Sequence, residues 1–110
     1  MTDTQVIAGT LIVRPQGELD VHTAAAFRTD TENALAETGA RRLIVSLKNI
    51  AFMDSSGLGA LLGRYRRMIE LGGRLYLVSI PARVRPVLEL SGILKIIPVF
   101  ESEKRALERI

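Results

Sequence analysis

Met53-Asp54-Ser55-Ser56-Gly57-Leu58-Gly59 stands where an apolar stretch ends and a helical pattern begins. Ile50-Ala51-Phe52 leads into it. Beyond it, Leu58, Leu61, Leu62, Tyr65, Met68 and Ile69 recur at the spacing of one helical face. This predicts a helix from about Ser56 to Leu71, with Arg64, Arg66, Arg67 and Glu70 mostly facing out and Gly72-Gly73 stopping it. The first turn of a helix has N–H groups without intrahelical partners, so such a junction suits an oxygen-bearing ligand or a phosphate. Neither His nor Cys lies near it in sequence to activate a hydroxyl. The serine pair therefore reads as modified or recognised rather than as attacking a substrate.

Upstream, Val6-Ile7-Ala8-Gly9-Thr10-Leu11-Ile12-Val13 reads as two short strands joined at a tight turn, with Pro15 suggesting an edge position because it cannot donate to a ladder. Gly17-Glu18-Leu19-Asp20 closes the strand. Asp20 is placed to cap a helix over residues 21–37, whose inner face is Ala24, Phe27, Thr31, Ala34 and Leu35, and Gly39 ends it. Leu43-Ile44-Val45-Ser46-Leu47 is a branched apolar run, the pattern of a strand buried on both faces. Downstream, Leu75-Tyr76-Leu77-Val78 is another strand. Pro81 opens a helix carrying Val84, Val87, Leu88 and Leu90, in which Pro86 is tolerable only in the first turn. Ile96-Ile97-Pro98-Val99 is expected as a last strand, and residues 102–109 as a last helix capped by Ser102. The order β-β-α-β-α-β-α-β-α predicts an α/β fold with mostly parallel connections.

Composition narrows the function classes. At 110 residues, 47% apolar and 25% charged, the chain reads as one globular domain over residues 1–110. Cysteine is absent, which rules out a disulfide framework and thiolate metal sites and fits a reducing compartment. No apolar run reaches the ~18 residues of a membrane span. No signal peptide is visible at Met1-Thr2-Asp3-Thr4-Gln5, so a cytoplasmic location is expected. The net charge of +3 comes largely from arginines interleaved with apolar residues at helical spacing. That pattern reads as a solvated helix face rather than a nucleic-acid surface. No phosphate-cradling GxxxxGK[ST] motif and no GxGxxG occurs, and His22 is the sole histidine, so the sequence offers neither a nucleotide cradle nor a Ser-His pair near the serines.

Two readings of the serines stay open on the residues alone. In one, Asp54 or Ser55 caps the helix, Ser56 fills its first turn and the glycines permit close packing. In the other, one serine is a switch: a phosphoryl group adds about −1.5 to −2 charges and three acceptor oxygens. Gly17-Glu18-Leu19-Asp20 likewise reads as a strand end with a cap, or as an acidic loop beside the serine at the same sheet edge.

Gly17-Glu18-Leu19-Asp20, Phe52 to Gly59, Leu62-Gly63-Arg64-Tyr65, Gly72-Gly73 and Leu90-Ser91-Gly92 together resemble the STAS domain family, and within it the sporulation-type anti-sigma-factor antagonists of Bacillus relatives. The likeness covers nearly the whole chain. It implies a small mixed sheet of four to five strands with helices packed mainly on one face. It implies binding to an anti-sigma factor that is also a serine kinase, phosphorylation of Ser56, and restoration by a metal-dependent serine phosphatase. By the same resemblance, Asp20, Asp54, Ser55, Gly57, Leu58 and Gly59 match the partner-binding surface. No cofactor, no membrane and no direct nucleic-acid contact are implied. An interaction module of another signalling or lipid-transport complex is the alternative. Pro86 departs from the family's pattern, standing where a charged residue is expected.

Overall fold

The structure is a computed structural model that describes residues 2–110. Strands β1 (Thr2–Ile7) and β2 (Thr10–Pro15) form an antiparallel hairpin. Ala8 and Gly9 turn it with φ of 51° and 78°, the double left-handed geometry that matches strand twist. β1 thus starts four residues before the expected Val6. It is the sheet edge, and most of it is exposed. β2 is interior, contrary to the reading of Pro15. The proline is accommodated because it ends the strand, beyond the Thr10–Val13 stretch that pairs in parallel with β4 (Arg42–Ser46).

The main sheet continues through β6 (Arg74–Val78) and β7 (Val99–Phe100) in the order β1-β2-β4-β6-β7, every pair after the hairpin being parallel. Alternation divides its side chains. Leu11, Val13, Leu43, Val45, Leu75 and Leu77 face a large core with Phe27, Leu61, Met68 and Leu88. Ile12, Ile44 and Val78 face the other way, against Ala106. Helices α1 (Ala24–Thr38), α2 (Ser55–Glu70) and α3 (Arg85–Ser91) therefore cover one face, and α4 (Glu103–Arg109) alone covers the other. This is the mixed sheet with helices mainly on one face that the resemblance implied.

Four local expectations change. Helix α1 begins at Ala24, because residues 20–23 form a turn closed by Ala24 N donating to Asp20 O. Helix α3 begins at Arg85 instead of at Pro81, and Pro86 thereby lies in its first turn, where no N–H is missed. Leu90, expected on the apolar face of that helix, is 91% exposed. The last strand starts at Val99 instead of Ile96, after a 3-10 turn over Ile93–Lys95. Pro98 cannot donate to a ladder, but its carbonyl accepts from Leu77 N and so starts the pairing.

A second, two-stranded sheet positions the site. β3 (Gly17–Leu19) and β5 (Ile50–Met53) pair in parallel, with Glu18 opposite Phe52 and Leu19 opposite Met53. Both strands run toward the same end of the molecule, so the loop at Asp20 and the start of α2 emerge side by side. Among the described residues, no helix is long and apolar enough to cross a membrane.

Candidate functional site

Asp54 organises this end of the fold. It takes an extended conformation (φ −117°, ψ −170°), and its Oδ1 accepts from Ser56 N at 2.8 Å and Gly57 N at 3.1 Å. This is a helix N-cap. Its Oδ2 accepts from Val21 N at 3.2 Å, which ties the loop after β3 to the start of α2. The sequence had left the cap between Asp54 and Ser55. The structure assigns it to Asp54. The consequence is chemical: two of the N–H groups expected to welcome an outside oxyanion already hold a carboxylate.

Gly57 lets α2 approach β3. A Cβ there would overlap the Leu19 carbonyl oxygen and come within 2.9 Å of Met53 Cγ. Gly59, two residues on, has open space where its Cβ would be. The two glycines of one motif therefore do different things.

Asp20 is 8% exposed. Its Oδ1 accepts from His22 N at 2.9 Å and Thr23 N at 3.2 Å, and Thr23 Oγ1 donates to Glu18 O at 2.8 Å. The carboxylate therefore shapes the turn that brings Val21 to Asp54. Of the residues matched to a partner surface, Ser55 and Gly59 are exposed and Leu58 is half-buried. Asp20 and Gly57 are buried and Asp54 is partly so; they hold the others in place. Ser56 is half-buried. Phe52, quoted in the sequence only as part of the family motif, and Val21, not singled out there, are exposed apolar residues flanking the serines.

Helices α1 and α2 run alongside one another in the same direction, as two links show. Val21 meets Asp54 at their starts, and Glu32 meets Arg64 further along. Arg64 was expected to face out, yet it is 6% exposed. Its guanidinium pairs with Glu32, which also lies 3.2 Å from Arg67 Nε. Burial pushes the Glu32 carboxyl up, but hydrogen bonding and charge from Arg64, with Arg67 adding to them, outweigh it and hold the carboxyl below its ordinary range. Nothing local in sequence relates residues 32 and 64; only the parallel packing does. Between α1 and the first half of α2 lies a groove of about 420 Å³, with Ser56, Arg28 and Arg64 on its walls. Among the described residues, no cluster of three or more His, Cys, Asp or Glu side chains is placed to hold a metal.

The STAS domain model matches residues 1–106, and the chain belongs to the STAS domain family. Several of its relatives are of a narrower kind. It is 40% identical over 102 residues to the anti-sigma F factor antagonist of Paenibacillus polymyxa, covering 93% of this chain and 87% of that protein. An anti-sigma factor antagonist from Mycobacterium paratuberculosis superposes with a TM-score of 0.87 at 25% identity, covering 98% of this chain and 91% of that one. The phosphorylated form of the Bacillus cell fate determinant SpoIIAA superposes with a TM-score of 0.75 at 28% identity, covering 99% and 98% of the two chains.

Proposed function

We propose that this protein is an anti-sigma factor antagonist whose binding is switched at Ser56. The unmodified form binds an anti-sigma factor that is also a serine kinase, and so frees the sigma factor. The kinase transfers the γ-phosphoryl group of ATP to Ser56 Oγ. ADP leaves, and the hydroxyl proton passes to the kinase. A metal-dependent serine phosphatase then uses water to cleave the P–O bond and releases inorganic phosphate. The protein itself is a substrate and a binding surface, with no catalytic residue of its own.

The observation that carries this reading is the placement of the serine pair. Asp54 caps the start of α2 and ties it to the loop after β3, which leaves Ser55 and Ser56 presented at an anchored turn. Exposed Phe52 and Val21 beside them supply the apolar contact that a protein partner buries. The likeness to the Paenibacillus antagonist supports the partner class, and the existence of a phosphorylated SpoIIAA supports the modification. A phosphoryl group at this surface leaves the core untouched but places a double charge where the partner must desolvate it.

The test is incubation with an anti-sigma factor kinase and ATP, followed by intact mass. The expected result is one added phosphate on the wild type and none on Ser56→Ala. Equal incorporation into both proteins refutes Ser56 as the acceptor.

A further inference from the structure

We propose that the phosphoryl group on Ser56 is received within the same chain by the groove between α1 and α2, where Arg28 clamps it. This rests on reading Ser56 as the acceptor and adds where the phosphate goes once attached.

The N-terminus of α2 is the obvious seat for a phosphate, but it is occupied. Ser56 N and Gly57 N both donate to Asp54 Oδ1, and that carboxylate repels a second anion. This steers the phosphoryl oxygens toward donors elsewhere. Ser56 borders the α1–α2 groove, whose floor of Ala24, Gly59 and Gly63 projects almost no side chain and so leaves room for three oxygens. The cations at its walls are Arg28 and Arg64.

The register of the two helices brings Arg28 within reach. Val21 is level with Asp54 and Glu32 with Arg64, so Arg28 is level with residue 60 or 61. Ser56 lies about 6 Å back along the axis from there, at ~1.5 Å per residue. An arginine side chain leans toward the N-terminus of its helix and spans that gap. Arg28 is exposed. Arg64 backs the groove as a fixed charge. Its Nη1 holds Glu32, while its Nε is, among the described residues, the one buried side-chain nitrogen or oxygen with no hydrogen-bond partner. A buried, unpartnered cationic N–H is a donor in want of an acceptor. An arginine fork on phosphate oxygens is a strong, charge-assisted pairing.

The phosphate's own titration reads the clamp. Phosphoserine is installed at position 56 during translation, so no kinase is needed. Phosphorus NMR then follows its second ionisation, ordinarily near pH 6. A neighbouring guanidinium favours the dianion and lowers the midpoint. Three proteins are compared: otherwise wild type, Arg28→Gln, and Arg66→Gln as a control on the exposed side of α2. Asp54 and Glu32, the carboxylates nearby, are present in all three. The expected midpoint is lowest in the wild type and rises by about half a unit to one unit in Arg28→Gln, the low end of such effects for an exposed cation. Arg66→Gln should overlay the wild type. Coincident curves for wild type and Arg28→Gln, or an equal rise in Arg66→Gln, overturn the clamp. A failed kinase assay with an intact Arg28 effect would count against the acceptor reading instead, so the two failures are distinct.

Discussion

Alanine at Gly57 should destabilise the fold and alanine at Gly59 should not, although both glycines sit in the first turns of α2. At Gly57 the new Cβ collides with the Leu19 carbonyl oxygen and lies 2.9 Å from the Leu19 carbonyl carbon and from Met53 Cγ. Ordinary carbon contacts begin at about 3.5 Å, so the start of α2 must retreat from β3 by about 1 Å. The Leu19 backbone cannot yield easily, because it is paired with Met53. Retreat also stretches the bonds that Asp54 accepts from Gly57 N and Val21 N. Overpacking of this kind costs about 1–3 kcal/mol. The better helix propensity of alanine returns at most about 1 kcal/mol. The net expectation is a loss of about 1–2 kcal/mol, which lowers Tm by roughly 4–10 °C for a chain of this size. At Gly59 nothing lies within 4 Å of the added Cβ, so alanine should be neutral or stabilising by up to about 1 kcal/mol. Urea denaturation and calorimetry of the two variants measure both signs. A Gly57→Ala protein as stable as wild type, or equal destabilisation at both positions, would refute the packing argument.

Asp54→Ala removes the acceptor of three backbone N–H groups, and urea midpoints should report a loss of about 1–2 kcal/mol, with Asp54→Asn recovering part of it. Ser56→Asp should weaken binding to the anti-sigma partner at least ~10-fold in calorimetric titration while Tm stays within a few degrees, since Ser56 borders an open groove with Arg28 on its wall, where an acid is tolerated, whereas a buried interface does not tolerate one; a large stability loss with retained binding reverses that reasoning. Acid should destabilise the fold through Glu103. Its hydrogen bonds from Arg14, at 2.7 and 2.9 Å, hold its carboxyl below the ordinary range against opposing burial. A folded pKa below the unfolded one means that stability is present above about pH 4.3 and is lost as pH falls through the folded value. Urea midpoints between pH 6 and pH 3 should therefore fall, and less steeply in Glu103→Gln.

Much of this fold was legible because its signals are local. Leu43 to Leu47 announced a strand covered on both faces, and all five residues are buried. The stop of α2 ahead of Gly72-Gly73 and the caps at Gly39 and Ser102 lie where their chemistry placed them. The juxtaposition of the Gly17–Asp20 loop with the serines is one of two readings the sequence leaves open, and the pairing of β3 with β5 decides for it. The errors share a cause. Leu90 and Ile69 fit an apolar period yet point to solvent, because periodicity locates a face but not its width. Pro15 suggests an edge although β2 is interior, since a strand's neighbours are not written in its own sequence.

The chain's own residues thus determined a serine pair at a strand-to-helix junction, with no His or Cys near it in sequence, on an alternating α/β framework. Only the tertiary structure decided what each residue of that junction does. It gave Asp54 the cap and the link to Val21, confined Gly57 against Leu19 while leaving Gly59 open, and drew Asp20 into its own turn. It also buried Arg64 against Glu32, thirty-two positions away, and set Arg28 beside the groove that Ser56 borders. The physical reason is that hydrophobic period and capping act over a few residues, whereas steric clearance, ion pairing and desolvation depend on what the packed chain brings within a few ångströms.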